Sequence, residues 1–331
     1  MIAMSFLRFS AGGDLSNTDV SCILGGFGLG LAPANVPWPM QWLGVPVHGE
    51  TTQGWQEGWV ADRAVASGVR DGIRWRRHEG LLFGLIELAE ASPRVIGELE
   101  ALTNDAYHRL FRLLDEQGLP HLWRVWNYMA DIHGDAETLE RYRQFNRGRA
   151  RAFEQAARSV TGQVPAACAL GVARGPLSIA FLAGAVPVQP VENPRQISAW
   201  RYPAQYGPQS PTFSRAVLAR PPGQEWLMIS GTASIVGHET VHRGDVLAQT
   251  RETLANIEAV VAQANRLAQA GPFTLPELSY RAYVRQLEDM PEVSRLLAHA
   301  LGGASVVCVQ ADVCREDLLV EVEAMGWHPL A

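Results

Sequence analysis

Leu119-Pro120-His121-Leu122 and Leu275-Pro276-Glu277-Leu278 are two similar stretches that lie about half a chain apart. Each stretch follows a segment with helical apolar spacing and leads into a segment rich in strand-forming residues. The predicted elements around both stretches share the order helix, strand, helix, strand, strand. This repetition predicts an internal duplication of an α+β unit, with the helices of each unit packed on one face of its sheet.

The first unit begins after a start rich in Gly, Pro and Trp, for which we expect strands and long turns. Asn104 is the predicted N-cap of a helix that runs to Leu114 and stops at Gly118. The remaining predictions for this unit are a strand over residues 80–86, a strand over 122–128, a long helix over 137–158, and two strands within 165–185.

The second unit follows a segment, residues 187–215, that is rich in Pro, Gln and Tyr and has no periodicity. Irregular segments of this length are more often functional than simple linkers. We therefore place the domain boundary between residues 186 and 187, giving domains 1–186 and 187–331. The predicted elements are strands over 214–219 and 226–233, a helix over 245–270, a strand from 278, a helix over 290–301, and strands over 305–310 and 318–324.

All 28 basic side chains are arginine, because the sequence contains no lysine. Chemistry that needs a lysine amine, such as a Schiff base, pyridoxal phosphate attachment or a Walker-type phosphate loop, is therefore excluded. Anions must be bound by guanidinium groups, which suit carboxylates and phosphates. The net charge of −6 and the absence of long basic runs argue against a nucleic-acid partner.

The sequence also argues against membranes and metal centres. The first ten residues lack the apolar core of a signal peptide, and no apolar run approaches the length of a membrane span, so we expect a cytoplasmic protein. The four cysteines have no CxxC spacing. His238-Glu239-Thr240-Val241-His242 matches HExxH, but Gly237 and Gly244 bracket it and predict a turn or strand rather than a zinc-binding helix.

Arginine and aromatic residues are concentrated in two segments, 141–149 and 195–215. Tyr142 and Arg149 are seven residues apart, so on a helix they project from one face together with Phe145, whereas the other arginines of the segment lie elsewhere. An arginine on an apolar face needs a carboxylate partner or a ligand, and both interpretations are open for Arg149. The second segment is either a solvated loop or a binding segment.

Residues 317–324, Asp-Leu-Leu-Val-Glu-Val-Glu-Ala, alternate as in a strand. The alternation places Glu321 and Glu323 on the face opposite Val320 and Val322. A buried carboxyl group at this position would hold its proton more tightly, as a general acid requires. If the same face is solvated, the two glutamates are ordinary surface residues.

The stretches Ile-Ser-Gly-Thr-Ala-Ser at 229–234, Gln-Thr-Arg-Glu-Thr-Leu-Ala-Asn-Ile at 249–257, and 317–324 occur in the order typical of the RidA/YjgF family. Members of that family consist of a sheet backed by two helices. From about residue 80 onward, the chain is also similar to the chorismatases, RidA-related enzymes that remove pyruvate from chorismate. This similarity rests on residues 124–128, 145–150 and 198–202. The resemblance is closest to bifunctional synthases that form 3- and 4-hydroxybenzoate for aryl-polyene pigment and ubiquinone pathways.

This resemblance implies the roles of particular residues. Glu321 is implied as the catalytic acid, and Cys314, seven residues earlier, as the cysteine associated with an aromatic product; alternatively, Cys314 is a small buried apolar residue. The implied substrate-binding residues are Tyr142, Arg149, Tyr202 and Arg215. The resemblance implies no metal or other cofactor, and either a monomer or a homotrimer.

The chemistry of chorismate agrees with these implied roles. Chorismate carries two separated carboxylates, which two guanidiniums can bind bidentately, and a protonated glutamic acid can protonate its enolpyruvyl methylene. Two other functions stay open. One is a RidA-like imine hydrolase, and the other is a protein that binds small carboxylates without turnover and would keep Arg149 and Arg215 but not need Glu321.

Overall fold

A computed structural model describes residues 7–11, 15, 18–30, 36–48, 55–91, 97–136 and 139–330. The N-terminal part forms a four-stranded sheet with the strand order β1-β4-β2-β3. Its strands are β1 (Leu7–Ala11), β2 (Ile23–Leu29), β3 (Met40–Leu43) and β4 (Trp55–Ala61). The strands and turns expected for this region are therefore present.

The first repeated unit is a six-stranded sheet with two helices. Its elements are β5 (Ala66–Arg70), β6 (Ile73–His78), β7 (Leu81–Leu88), α1 (Glu98–Gln117), β8 (His121–Ala130), the short hairpin β9 (Asp135–Ala136) and β10 (Leu139–Glu140), α2 (Arg141–Gln155), β11 (Ala166–Val172) and β12 (Leu177–Gly184). The strand order is β11-β8-β12-β7-β6-β5, and only the β11–β8 pair is parallel.

The second unit has the same architecture. Its elements are β13 (Gln189–Val191), β14 (Ala216–Ala219), β15 (Gln224–Ala233), the short hairpin β16 (Ile235–Val236) and β17 (Glu239–Thr240), α3 (Val246–Asn265), β18 (Ser279–Val284), α4 (Met290–Ala300), β19 (Val306–Gln310) and β20 (Val320–Pro329). Its sheet has the order β19-β18-β20-β15-β14-β13, again with one parallel pair, β18–β19.

The two sheets correspond strand by strand, since β5-β6-β7-β8-β11-β12 occupy the places of β13-β14-β15-β18-β19-β20. In both units the parallel pair is joined through a helix, α2 or α4, as a parallel crossover requires. The prediction of an α+β fold built from two duplicated units, each a sheet with helices, is confirmed.

Three large apolar cores among the described residues hold the layers together. One face of the first sheet packs against α1 and α2, and one face of the second sheet packs against α3 and α4. The remaining faces share a central core, which the N-terminal sheet enters through Phe27 and Trp59. The Phe27 ring centroid is 4.7 Å from that of Trp126 on β8. The N-terminal sheet is therefore an integral part of the structure between the units.

Two predicted helix starts were wrong. Helix α1 begins at Glu98, after Gly97 with a φ of 74°, so Asn104 is an interior residue whose side chain donates to Gln155 Oε1 at 3.0 Å. Its predicted stop at Gly118 is confirmed, with a φ of 65°.

Helix α2 begins at Arg141 instead of residue 137 because Leu139 and Glu140 pair with β9; residues 137–138 lie outside the described residues. It ends at Gln155, three residues before the predicted end. Ala157 has a φ of 52°, which is incompatible with the continuation of a right-handed helix.

Residues 187–215 are mostly irregular, as predicted, with β13 and two single 3₁₀ turns at Ala199–Arg201 and Ala204–Tyr206. Strand β12 ends at Gly184 and β13 begins at Gln189, so residues 186 and 187 lie between the two sheets. The division into domains there stays a prediction. Within the described residues, no helix combines the length and apolar character of a membrane span.

Candidate functional site

A cavity of about 770 Å³ lies at the seam between the two units. Helix α2 and strand β11 form one wall, and the 199–215 segment, β15 and the loop before β20 form the other. All six residues that the sequence singled out line this cavity: Tyr142, Arg149, Tyr202, Arg215, Cys314 and Glu321. The structure thus brings together residues that are up to 179 positions apart in the chain.

Arg149 is 2% exposed, and its side chain lies on the cavity face of α2. Its guanidinium carbon is 5.3 Å from the ring centroid of Tyr107 and 5.6 Å from that of Phe153. Its Nε and Nη2 have no hydrogen-bond partner, and no described carboxylate lies within ion-pair distance. Of the two interpretations of this residue, the structure favours ligand binding over a structural salt bridge.

Arg215 approaches the cavity from the opposite wall and is 4% exposed. Its Nη2 donates to Tyr202 Oη at 2.8 Å and to the Ile197 carbonyl at 2.9 Å, whereas Nε is unpartnered. No described carboxylate makes an ion pair with it either. Both acceptors of this side chain are neutral, and the carboxyl group of Glu192 contacts the Arg215 backbone amide at 3.2 Å rather than the guanidinium, so the guanidinium itself has no ion-pair partner among the described residues.

Glu321 is 4% exposed and lies on β20 with its carboxyl group toward the cavity. Its position depends on an irregularity of β15, where the pairing with β20 is interrupted between Ile229 and Thr232. A Cβ at Gly231, within that interruption, would overlap Glu321 Oε1 and lie 3.2 Å from Cys168 Cβ. Glycine at position 231 therefore provides the space that the carboxyl group occupies.

Burial, reinforced by the negative charge of Glu323, raises the pKa of Glu321 to about 8, against the lowering effects of Arg124 and Arg215. No ion pair joins Glu321 to any residue that the structure describes. The carboxyl group is therefore protonated at neutral pH and can donate a proton, as a general acid must.

Cys314 and Tyr142 add neutral groups next to Glu321. Burial, followed by the Glu321 charge, raises the pKa of the Cys314 thiol to about 12, so the sulfur is a thiol and not a thiolate. Burial also raises the pKa of the Tyr142 hydroxyl well above its usual value, and the side chain of Asn146 bonds to it. Both groups can therefore donate hydrogen bonds to an anion in the cavity.

Glu323, two residues along β20, has the opposite electrostatic surroundings. Its carboxylate makes ion pairs with Arg124 and Arg281 and accepts hydrogen bonds from Trp126 Nε1 at 3.2 Å and Tyr283 Oη at 3.1 Å. The sequence left open whether the face that carries Glu321 and Glu323 is solvated. Both residues are buried between the two sheets, so the solvated alternative is wrong.

The HExxH stretch is not helical. Its middle is strand β17, and Gly237 and His242 have φ angles of 60° and 59°, so the two histidines do not share a helix face. The prediction of a turn or strand is confirmed. His238 instead bonds through Nδ1 to Tyr206 Oη at 3.2 Å, beside the cavity.

Several cavity residues were not found from the sequence. Arg143 was placed away from the cavity face of the helix, but its long side chain reaches the lining and pairs with Glu140 at 2.9 Å. Arg315 packs its guanidinium carbon 3.8 Å from the Tyr206 ring centroid and 5.0 Å from that of Tyr202. The only sequence signal for Arg315 was its position next to Cys314.

Taken together, the fold and the cavity define a protein of two fused α+β units with a buried site suited to a small organic anion and to proton transfer. The site has a carboxyl group with a raised pKa and two guanidiniums, one on each wall, that make no ion pair with any described residue. Such a constellation can bind a dicarboxylate and protonate it between the two anchors.

Comparisons with known proteins assign the chain to a family. Residues 57–183 match the family described as chorismatase FkbO/Hyg5-like, N-terminal. A 3-hydroxybenzoate synthase from Streptomyces hygroscopicus is 38% identical over 288 residues, which are 83% of this chain and 82% of that protein. A chorismatase from the same organism is 38% identical over 276 residues, covering 81% and 78% of the two chains.

A crystal structure of a chorismatase superposes on the chain with a TM-score of 0.85 at 33% identity, covering 97% of this chain and 98% of that one. The chain belongs to the chorismatase family, as the resemblance in its sequence predicted. The roles of the individual cavity residues stay predictions.

Proposed function

We propose that this chain is a chorismate lyase that releases pyruvate and forms 3-hydroxybenzoate and 4-hydroxybenzoate. One similar protein is named 3-hydroxybenzoate synthase, and others are named chorismatase. The observation that carries the proposal is the cavity itself, which is lined by Glu321, whose pKa burial raises to about 8, and by Arg149 and Arg215, two buried guanidiniums with no ion-pair partner among the described residues.

Chorismate fits the charge of this cavity. The molecule is a dianion, with one carboxylate on the ring and one on the enolpyruvyl group, and each can take a bidentate hydrogen bond from one guanidinium. Binding a dianion compensates both buried positive charges, which the protein leaves uncompensated. In this proposal Tyr142 and Tyr202, which both line the cavity, direct the carboxylates through their hydroxyl groups.

The proposed reaction begins with proton transfer from Glu321 to the enolpyruvyl methylene carbon. The resulting cation is centred on the ether carbon, which weakens the bond between the ether oxygen and the ring. That bond breaks and its electrons remain with oxygen as pyruvate leaves. Loss of the proton from the neighbouring, hydroxyl-bearing ring carbon then gives 4-hydroxybenzoate.

For 3-hydroxybenzoate, the neighbouring hydroxyl oxygen first bonds to the vacated ring carbon and loses its proton. The resulting epoxide takes up a proton on oxygen and opens at its old C–O bond, and the carbon that now carries the hydroxyl loses its proton as the ring becomes aromatic. The atoms of chorismic acid divide between pyruvic and hydroxybenzoic acid, so neither water nor an oxidant is consumed, and one proton restores Glu321.

The pH dependence follows from the acid role. A group that must be protonated is active below its pKa and loses activity as pH rises through it. For Glu321, with a pKa of about 8, kcat/KM is expected to be level near neutral pH and to fall at higher pH. An ordinary exposed glutamate would lose its proton several units lower.

The test is to mix the purified chain with chorismate, measure pyruvate with lactate dehydrogenase, and separate the aromatic products by chromatography. We expect Glu321→Gln to lower kcat by roughly 10²–10⁴-fold, because the amide cannot supply the proton. Glu316→Gln is the matched control, since Glu316 is a solvent-exposed carboxylate at the cavity mouth.

Two outcomes would contradict the proposal. Undiminished pyruvate release by Glu321→Gln removes the acid role of that residue. A wild-type chain that leaves chorismate intact but hydrolyses imines supports the RidA-like alternative instead, and tight binding of chorismate without turnover supports the non-catalytic one.

A further inference from the structure

Glu321 and Glu323 lie on the same face of β20. Buried charged residues around Glu323 give the two carboxyl groups different electrostatic surroundings. Glu323 is paired with Arg124 on β8 and Arg281 on β18. Arg281 in turn makes an ion pair with Glu57, which belongs to β4 of the N-terminal sheet. We call Glu57, Arg124, Arg281 and Glu323 the buried charge network.

The network joins three sheets and is shielded from water. All four side chains are buried, and the Arg281 guanidinium carbon lies 4.4 Å from the ring centroid of Phe27 on β2. Its hydrogen bonds also include Arg281 Nη1 to Tyr128 Oη and to Tyr283 Oη, each at 3.2 Å. In such surroundings an uncompensated charge acts strongly on its neighbours, because little solvent screens it.

The charges of the network sum to zero. The two carboxylates, Glu57 and Glu323, match the two guanidiniums, Arg124 and Arg281, so the network as a whole adds no net charge beside Glu321. Across the strand pairing, Arg281 stands opposite Glu323 and Tyr283 stands opposite Glu321. Glu321 therefore stands opposite a neutral side chain on β18, whose hydroxyl group donates to Glu323 at 3.1 Å, whereas Glu323 stands opposite a cation.

We infer that Glu57 is a positioning residue for the reaction: by occupying Arg281 it completes the neutral network that leaves Glu321 as an uncharged acid. This inference rests on the proposed function and deepens it. It also gives the N-terminal sheet a direct part in the chemistry, because without Glu57 the network carries one positive charge in excess. An excess positive charge favours the ionised form of a nearby carboxyl group.

Other titratable and charged groups face Glu321 as well, and none of them belongs to the N-terminal sheet. They come from β20, β8, β18, β11, helix α2, the segment before β14 and the loop before β20: Glu323, Arg124, Tyr283, Cys168, Tyr142, Arg149, Arg215 and Cys314. The tyrosine and cysteine groups of this set are neutral, since burial raises their pKa values. Glu57 and Arg281 are thus members of the network that neither line the cavity nor belong to the groups that face Glu321 directly.

The test is a charge cycle read out by the pH dependence of kcat/KM for chorismate, which reports groups in the free enzyme. Glu57→Gln leaves the network positive, so the fall in kcat/KM at high pH should move to lower pH by about one unit, the size expected for one unbalanced buried charge. Arg281→Met leaves it negative and should move the same fall to higher pH. The double variant is neutral again and should return the fall close to its wild-type position.

Displacements of opposite sign that cancel in the double variant support the inference, since a merely structural role predicts lower stability without this pattern. A wild-type pH position in soluble, folded Glu57→Gln overturns it. If Arg281→Met does not fold, Glu57→Gln and the double variant still decide the question.

Failure of the proposed function is a separate outcome. If the wild-type chain does not consume chorismate, the protonation of Glu321 can be followed by isotope-edited infrared spectroscopy of its carboxyl group, with Glu321→Gln as the blank. The same displacements then test the network alone, and their absence overturns the inference.

Discussion

The cavity around Glu321 and the buried charge network around Glu323 contain the same chemical groups in opposite arrangements. In the network, Arg124 and Arg281 both pair with a carboxylate. In the cavity, neither Arg149 nor Arg215 has a carboxylate partner within the described part of the chain. Since burying a bare guanidinium is unfavourable, the network stabilises itself, whereas the cavity is completed only by an anion from outside.

The largest expected effect is a loss of stability when a carboxylate of the buried charge network is removed. Glu323→Leu removes the carboxylate shared by Arg124 and Arg281 and leaves buried cations, so the free energy of unfolding should fall by about 3–5 kcal/mol. Urea denaturation measures this change. The matched control is Glu100→Gln, which disrupts the partly exposed Arg147–Glu100 pair at 3.4 Å and should change stability by about 1 kcal/mol or less. Equal effects of the two variants would remove the distinction between buried and exposed pairs.

The second largest effect is a loss of activity when a guanidinium of the cavity is removed. Arg149→Met keeps much of the side-chain volume but removes the guanidinium, and kcat/KM for chorismate should fall roughly 30- to 5,000-fold, as for the loss of one buried charged anchor at about 2–5 kcal/mol. Its melting temperature should stay the same or rise, because an uncompensated buried charge has been removed. Steady-state kinetics and thermal melting measure the two quantities. A variant that loses stability without losing kcat/KM would show that Arg149 is structural, and Arg147→Met is the exposed control on the same helix.

The smallest effect concerns a neutral part of the cavity wall. Cys314→Ala removes no charge, so total turnover should change only a few-fold, about 1 kcal/mol or less, while the ratio of 3- to 4-hydroxybenzoate changes. Chromatography of the products measures the ratio. Cys308→Ala, buried on β19 away from the cavity, is the matched control. An unchanged ratio in Cys314→Ala would leave this residue with a packing role only.

The periodic parts of the fold could be predicted from the sequence. Helix α3, predicted over residues 245–270, begins at Val246 because the side chain of Asp245 caps it by accepting a hydrogen bond from the Ala248 amide. It ends at Asn265, five residues before the predicted end. Asn104 is also of a residue type that favours the N-cap, but it lies inside α1, since the preceding turn of Glu98 to Thr103 is itself helix-forming. A cap can be read from sequence only when the residues before it do not continue the helix.

The site was predictable only in part, for a physical reason. Helical spacing alone placed Tyr142 and Arg149 on one face, and the family resemblance supplied Glu321. The burial of Glu321 could not be read from its strand, because alternation gives two faces and the opposing sheet decides which is dry. Gly231 and Arg315 matter through contacts across the seam, and such contacts depend on how the units pack.

The location of the cavity at the seam has one more consequence. The first unit supplies Arg149 and the second supplies Arg215 and Glu321, so neither half of the chain holds a complete site. In the proposed complex, a dianion bound by both guanidiniums links the two halves of the chain. Substrate binding is then expected to stabilise the contact between the two halves, and the departure of pyruvate to weaken it, in each catalytic cycle.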